Sequence, residues 1–276
     1  MRRSPNNFNS KIGETTTVTR NLSKLDRKFL GWGKRKREIE GGKGILLEGT
    51  KIIEEALEFG HPLNRTWFTV SYARSNTSLI RRLEESGCQV KLVSERLMKN
   101  ISDLETPPGI SAVGPQPGFI LRQPGDSFSL IVAVSRLQDP GNLGGLVRTA
   151  DFFGADEIWL GENSIDPYSS KSVRASMGAV FRMPVVSGDL NKRLSHFKTA
   201  GAVIWAAVAH GDQAERRIGE SGARILLIGE ESGGIDSGYL SLADRKVSIP
   251  GARRSESLNL AVAAGILIYM ATSGRF

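Results

Sequence analysis

The chain has 276 residues, one cysteine and a formal net charge of +8. This length predicts about two domains, and 39% apolar residues are enough to form folded cores. The single cysteine, Cys88, excludes an intrachain disulfide and a cysteine-based metal cluster, and it is typical of a reducing compartment such as the cytoplasm. The longest apolar run, 258–271, is shorter than the roughly 20 residues that span a bilayer, so we expect no membrane segment.

Histidines give no indication of a metal site. His61, His196 and His210 are far apart in the sequence and show no ligand spacing. We interpret each as an ordinary surface or packing residue and expect no metal.

Positive charge is concentrated at the N-terminus. Residues 1–37 contain eleven basic and two acidic side chains, so the remaining chain sums to about −1. A basic arm on a near-neutral body is typical of proteins that contact nucleic-acid phosphates without reading sequence. A solvated tail or an organellar targeting peptide remains an alternative, whereas a secretory signal is not expected without a long apolar segment. We predict that residues 1–37 form a partly flexible arm that contacts RNA or DNA, with a basic helix possible over 21–40.

Residues 38–118 alternate between short strands and helices, which predicts a small α/β domain. Strands are predicted at 44–49, 65–70 and 89–94, and helices at 50–60, 78–87 and 94–105. The Pro- and Gly-rich stretch 107–118 is typical of a closing strand followed by a linker. We therefore place a domain boundary after residue 118.

Residues 119–276 predict a doubly wound parallel sheet of five or six strands. The first strand, within 129–137, is continuously apolar, as in strands that are buried on both faces. Further strands are predicted at 157–161, 183–187, 202–208, 224–231 and 246–250, with helices at 142–154, 170–178 and 190–200 and at the C-terminus.

The first candidate loop is QDPGNLGGLVRTADFFGA, which follows the first strand of this sheet. Ligands bind at the carboxyl ends of strands in such folds. The glycines do not follow the order of the dinucleotide fingerprint, which disfavours a nicotinamide-dependent oxidoreductase. If Asn142 caps the following helix, Arg148, six residues later, lies near enough to share a ligand with the loop; a plain cap and a surface cation are the alternative.

Two more loops follow later strands. In LLIGEESGGI, Gly229 ends a strand and Glu231 lies in a glycine-rich turn, where the backbone can approach a ligand closely. In VSIPGARRSESLNLAVAA, backbone atoms at Ile249 and Leu258 could hold a planar ring while Ser257 and Asn259 present polar groups. A solvated turn and a helix cap are the ordinary alternatives.

In this order and spacing, the three loops resemble the motifs of the SpoU family of SPOUT-class RNA methyltransferases. Motif one is similar to PGNLGGLVRTADFFGA, motif two (G-x-E-x-x-G) to Gly229, Glu231 and Gly234, and motif three to IP followed by SLN. The segment 169–185 and parts of the small domain are also similar, so the resemblance covers roughly 21–274. Glu230 is a departure, because members often have a small residue there.

The resemblance implies a fold, a cofactor and a reaction. It implies a trefoil knot in 119–276, S-adenosylmethionine as cofactor, and methylation of a ribose 2′-hydroxyl in RNA. It places adenosine against the backbone of Gly229, Ile249 and Leu258. It also implies a homodimer in which Arg148 reaches a site completed by the partner, and a small domain that binds RNA.

For catalysis, the resemblance implies a set of five residues: Arg148, Asn142, Glu231, Ser257 and Asn259. Because arginine stays protonated in proteins, we expect Arg148 to stabilise developing negative charge or hold a phosphate, oriented by Asn142 and Glu231. Ser257 and Asn259 would line the ribose and cofactor site. Ribosomal RNA is the favoured substrate; transfer RNA and a non-catalytic RNA-binding role are alternatives, and base methylation is disfavoured by motif three.

Overall fold

A computed structural model describes residues 21, 23, 24, 26, 38–39, 42–209, 222–230, 233–251 and 258–273. The chain divides into two compact units. The first comprises Met1–Pro117 with Tyr168–Ser170, and the second comprises Gly118–Pro167 with Lys171–Phe276. The predicted basic arm and helix at the N-terminus lie almost entirely outside the described residues.

The first unit contains a five-stranded sheet in the order β1-β2-β5-β3-β4. Its strands are β1 (Glu38–Ile39), β2 (Gly42–Glu48), β3 (Arg65–Thr69), β4 (Gln89–Val93) and β5 (Ile110–Pro115). Its helices are α1 (Thr50–Glu58), α2 (Val70–Ser75), α3 (Thr77–Glu85) and α4 (Glu95–Ile101). Strands β3 and β4 are parallel, and the other pairs are antiparallel.

Apolar periodicity and caps explain why these helices form where they do. In α1 the buried residues Ile52, Ile53 and Ala56 lie on one face, as expected for an amphipathic helix against a sheet. At α4 the Ser94 side chain accepts a hydrogen bond from the Leu97 backbone N–H, which fixes the start of the helix. Helix α2 was not predicted, because its six residues are too few to show a period.

A buried ion cluster joins Asp26 to the sheet of the first unit. Asp26 is fully buried, and its carboxylate accepts hydrogen bonds from the Lys91 ammonium at 2.8 Å and from the Arg65 guanidinium. The Ser23 hydroxyl donates to the same carboxylate at 2.6 Å. Burial alone would raise the pKa of Asp26, but the hydrogen bonds from Lys91, Ser23 and Arg65 outweigh it and hold that pKa well below its usual range.

The second unit contains a six-stranded sheet in the order β11-β9-β10-β6-β7-β8, and every pair in it is parallel. Its strands are β6 (Ile131–Val134), β7 (Glu157–Leu160), β8 (Val185–Ser187), β9 (Val203–Ala207), β10 (Arg224–Ile228) and β11 (Arg245–Val247). Its helices are α5 (Pro140–Phe152), α6 (Ser170–Ala175), α7 (Leu190–Thr199), α8 (Ser237–Leu240) and α9 (Leu260–Thr272), with a 3-10 turn at Ala179–Phe181. The predicted α/β fold with a parallel sheet is confirmed.

The order of the strands places a topological switch point between β6 and β10. From β6 the chain continues outward to β7 and β8, whereas β10, β9 and β11 lie on the other side. All four residues of β6 are buried, as expected for a strand covered on both faces. In doubly wound sheets, ligands bind outside the carboxyl ends of strands at such a point. The loops after β6 and β10 therefore lie where a sheet of this kind binds its ligand.

Candidate functional site

The loop after β6 enters α5 through an aspartate cap. The Asp139 carboxylate accepts a hydrogen bond from the Asn142 backbone N–H at 2.7 Å, and Pro140 occupies the first turn. Asn142 is therefore not the cap, because the helix begins at Pro140 and Asp139 caps it. Proline suits a first-turn position, where its missing N–H is not needed. The Asn142 side chain makes a different contact.

That contact joins the first and third predicted loops. The Asn259 side-chain amide donates from Nδ2 to the Asn142 Oδ1 at 2.9 Å, although the two residues are 117 positions apart. At the same time, the Asn259 Oδ1 accepts from the backbone N–H groups of Ala261 and Val262 at 3.0 and 3.3 Å. Asn259 is thus the N-cap of α9, and it also ties the mouth of α9 to the first turn of α5.

Small residues allow α5 to approach its neighbours closely. A Cβ added to Gly144 would overlap the backbone of Ala175 in α6. A Cβ added to Gly145 would lie 3.2 Å from the Ala261 Cβ in α9, which is tighter than ordinary contact. Glycine at these two positions therefore lets α5 pack closely against α6 through Gly144 and against α9 through Gly145.

The loop after β10 forms a tight backbone turn. Glu230 N–H donates to the Gly234 carbonyl at 2.9 Å, and Gly234 N–H donates to the Glu230 carbonyl at 3.1 Å. A Cβ on Gly229 would overlap the Gly234 backbone, and Gly234 has φ of +69°, which favours glycine. Both glycines of the G-x-E-x-x-G pattern are therefore required by the turn itself. Glu231, its acidic member, lies outside the described residues.

The remaining predicted site residues lie at strand and helix ends. Ile249 is half-buried two residues beyond β11, and Leu258 is 47% exposed two residues before α9. Ser257 lies outside the described residues. Arg148 is exposed on α5 and lies three residues after Gly145 and four before Phe152, so it shares a helix face with them. The described contacts bring Asn142 and Asn259 together, and none of them joins Arg148 to that pair.

A large apolar face extends from this pair along α5 and α9. It forms an open groove of about 570 Å³ lined by Gly145, Thr149, Phe153, Ala261, Val262, Gly265, Ile266 and Tyr269. Within or beside this α5–α9 face, Phe152 is 79% exposed, Val262 51% and Tyr269 54%. The Phe153 ring packs 5.7 Å from that of Tyr269. Exposed apolar patches of this kind mark contact surfaces.

Two residues that sequence reasoning missed also lie at this edge of the sheet. Asp139 was overlooked as the cap because Asn142 is an equally good capping residue. Arg136, which follows β6 by two residues, forms an ion pair with Glu230 at 3.5 Å. A cation directly after a buried strand at the switch point is a signal that could have identified Arg136.

Neither a metal site nor a membrane span is found in the part of the chain that the structure describes. No three His, Cys, Asp or Glu side chains there are grouped so that they could hold a metal ion. No helix among the described residues is both long and apolar enough to cross a bilayer.

Two family descriptions match separate parts of the chain. Residues 129–269 match the SpoU rRNA Methylase family. Residues 46–118 match the family described as RNA 2'-O ribose methyltransferase substrate binding. The first range includes every predicted site residue, and the second includes strands β3 to β5 and helices α1 to α4.

Individual relatives are similar over nearly their whole length. The chain is 30% identical over 249 residues to the 23S rRNA (guanosine(2553)-2'-O)-methyltransferase RlmP of Bacillus subtilis, covering 90% of this chain and 96% of that protein. It is also 30% identical over 276 residues to the 23S rRNA (uridine(2479)-2'-O)-methyltransferase of Streptomyces viridochromogenes, covering 95% of each. The crystal structure of an AdoMet-bound rRNA methyltransferase from Sinorhizobium meliloti has a TM-score of 0.77 and 27% identity, covering 94% of this chain and 99% of that one.

Proposed function

Because this chain belongs to the SpoU rRNA methylase family, we propose that it transfers a methyl group from S-adenosylmethionine to a ribose 2′-hydroxyl of ribosomal RNA. The observation that carries the proposal is the Asn259–Asn142 hydrogen bond, which joins the first and third motifs. Capping α9 uses only the Oδ1 of Asn259, whereas its Nδ2 also donates a hydrogen bond to Asn142. The relatives named above that act on 23S rRNA support ribosomal over transfer RNA as the substrate.

The residues at the strand ends fit a nucleoside cofactor. Gly229 ends β10 in the tight turn with Gly234, and Leu258 presents an exposed apolar side chain that a purine could cover. We propose that backbone groups of Gly229, Ile249 and Leu258 hold the adenosine, with Asn259 beside it. The cofactor would supply an electrophilic methyl group on a sulfonium.

The protein's own contribution to the reaction is alignment and electrostatics. Displacement at a methyl carbon needs the attacking oxygen in line, so fixed positioning provides much of the rate. We assign Arg148 to stabilising the oxygen as it loses its proton to solvent, or to holding the adjacent phosphate. Asn142 and Glu231 would orient Arg148, and Ser257 and Asn259 would line the ribose.

We propose that the α5–α9 face binds a second copy of the same chain. The face is apolar, exposed and continuous with the Asn142–Asn259 pair, and Arg148 is exposed one position before Thr149, which lines it. A helix that is apolar on all sides requires a partner for its outward side. In such a homodimer Arg148 would reach a site that the partner completes, as the family resemblance implies.

The proposed organisation assigns RNA binding to the N-terminal part of the chain. Residues 1–37 would be a basic arm, 38–118 the substrate-binding domain and 119–276 the methyltransferase domain with a trefoil knot. The match of 46–118 to a substrate-binding family supports the second assignment. Because its proposed substrate belongs to the ribosome, we place the protein in the cytoplasm.

Mapping of 2′-O-methyl groups tests the proposal. Ribosomal and transfer RNA from cells with and without the protein would be compared, and purified protein would be given unmodified 23S rRNA transcript and labelled S-adenosylmethionine. We expect one ribosomal position to lose its methyl group in the deletion strain and to regain it in vitro. If a position in transfer RNA loses its methyl group instead, transfer RNA would be the substrate. If no position in either RNA loses a methyl group, the proposed methylation would be contradicted.

A further inference from the structure

Arg136 and Glu230 form an ion pair across the topological switch point. Arg136 lies two residues beyond β6 and Glu230 two residues beyond β10, and these strands are neighbours in the sheet. The Arg136 Nη1 is 3.5 Å from the Glu230 Oε2, and the two side chains are 45% and 33% exposed. The pair therefore occupies the edge where the proposed substrate would bind, but it is open to solvent.

The Arg136 guanidinium is held in place from two sides. With its amide oxygen turned toward the guanidinium, Gln138 accepts from Arg136 Nη2 at 2.6 Å and from Nε at 3.3 Å. Glu230 approaches the opposite nitrogen, Nη1. The Glu230 side chain itself folds over Gly233, since a Cβ at Gly233 would overlap its carboxylate. Two neighbouring loops thus cooperate to orient one cation.

An exposed ion pair at this separation adds little to stability. Pairs of this kind contribute about 0–1 kcal/mol, so folding alone does not account for an arginine oriented by two partners. A planar guanidinium is suited to bidentate binding of phosphate, and a carboxylate presents a similar pair of anionic oxygens. Glu230 therefore occupies a position in which a phosphate could replace it.

We propose that Arg136 binds a phosphate of the RNA substrate, and that Glu230 holds its guanidinium in position until that phosphate replaces the carboxylate. Gln138 keeps the guanidinium oriented during the exchange. Glu230 then lowers RNA affinity by competing for Arg136 and so selects for RNA that presents a phosphate at this point. The inference rests on the proposed RNA substrate but not on methyl transfer, because it concerns binding.

Binding measurements on single and double variants test this role. Affinity for unmodified 23S rRNA transcript would be measured against salt concentration for Arg136→Ala, Arg136→Lys, Glu230→Gln and the Arg136→Ala/Glu230→Gln double variant. Calorimetry would give the affinity of each for S-adenosylmethionine. Arg122→Ala is the matched control, because Arg122 is 43% exposed and pairs with Asp156 at 2.9 Å, but Asp156 precedes β7 and so lies at the opposite edge of the sheet.

We expect Arg136→Ala to weaken RNA binding by roughly tenfold and to reduce the salt slope by about 1, as for loss of one phosphate contact. Arg136→Lys should keep the slope but bind less tightly. Glu230→Gln should tighten RNA binding, and this gain should disappear when Arg136 is alanine. Cofactor affinity should stay within about twofold, because no anionic cofactor group is assigned to Arg136.

Three results would overturn the inference. An unchanged salt slope in Arg136→Ala would show that this cation makes no phosphate contact. A loss of cofactor affinity with unchanged RNA affinity would assign Arg136 to the cofactor's carboxylate. A lower unfolding temperature in both Arg136→Ala and Glu230→Gln without any change in RNA binding would show that the pair only holds the two loops together. Failure of the proposed methylation would appear separately, as absence of labelled product with normal RNA binding.

Discussion

At the scale of single residues, Arg148 is the cation to which the proposed chemistry assigns the greatest role. Replacing Arg148 with alanine should reduce methyl transfer by about 10²-fold or more, the usual effect of removing one group that stabilises transition-state charge. Affinity for S-adenosylmethionine should not change, because the cofactor is assigned to backbone groups. Single-turnover kinetics and calorimetry measure the two effects. Arg81→Ala, at an exposed position of α3, is the control, and turnover within threefold of the unmodified protein would remove Arg148 from the mechanism.

Variants of Asn142 and Asn259 can distinguish a structural role of their hydrogen bond from a functional one. Asn259→Ala removes a helix cap as well as the contact with Asn142, so it should lower the free energy of unfolding by about 1 kcal/mol and also reduce turnover. Asn142→Ala leaves the Asp139 and Asn259 caps in place and should reduce turnover with little change in stability. Denaturant unfolding and methyl-transfer assays on the same samples distinguish them. Equal loss of stability in both variants would show that the contact serves only the fold.

The sequence could indicate that these residues matter, but spacing alone could not bring them together. Asn142 and Asn259 are 117 positions apart, so their contact depends on the tertiary fold. Local patterns could not indicate that these residues belong to one site. The order of the three motifs indicated it, through the family resemblance. Asp139 was missed because two good capping residues stand three apart, and local preference does not distinguish between them.

At the scale of elements, the buried strands were the most predictable part of the fold. Strand β6 is apolar without interruption and has an ordinary strand length, so its type followed from composition. Short helices such as α8, with four residues and no buried side chain, offered no period to recognise. The predicted helix at 142–154 begins two residues later than α5, because proline is typical of loops although it is also favoured in the first helical turn.

The outward side of helix α9 belongs to the proposed dimer interface, which one substitution can test. Val262→Glu places a charge in the middle of the α5–α9 face, where Val262 is 51% exposed. If this face joins two copies, the buried charge should convert the dimer to a monomer. Sedimentation velocity measures the change. Ile120→Glu, at a fully exposed apolar position outside the face, should leave the dimer intact. A dimer that survives Val262→Glu would place the interface elsewhere.

The Asp26 cluster makes a prediction about the stability of the first unit. Asp26→Asn leaves the Arg65 guanidinium buried without its anion, which should cost about 3 kcal/mol. Glu85→Gln, which breaks an exposed pair with Arg81 on α3, is the matched control and should cost under about 0.5 kcal/mol. Denaturant unfolding monitors both. A cost for Asp26→Asn no larger than that of the control would show that the cluster does not stabilise this unit.

The Asp26 cluster also determines in which direction stability should change with pH. Since the pKa of Asp26 is lowered on folding, its stabilisation is complete above the unfolded carboxyl pKa of about 4 and is lost as the pH falls below it. The stability difference between the unmodified protein and Asp26→Asn should therefore be constant near neutral pH and narrow below pH ~4. A difference that stays constant into acid would contradict the assigned pKa direction.

At the scale of the whole molecule, charge is distributed unevenly along the chain. Residues 1–37 carry a net charge of +9, and the remaining residues sum to about −1. Asp26 lies within this basic segment yet is buried against the sheet of the first unit. Deletion of residues 1–37 would therefore remove a stabilising carboxylate together with the cations, and a loss of RNA binding could come from either. Substitution of the cations alone avoids this ambiguity.

Lys34, Arg35, Lys36 and Arg37 are consecutive and form the densest group of cations in the segment. Replacing all four with glutamine should weaken binding to 23S rRNA transcript and reduce the salt slope by up to about 3, since each phosphate contact contributes about 0.7–0.9. Cofactor affinity and thermal stability should be unchanged and serve as internal controls. An unchanged salt slope would mean that these cations do not touch RNA, and the arm would then be a solvated tail or a targeting peptide.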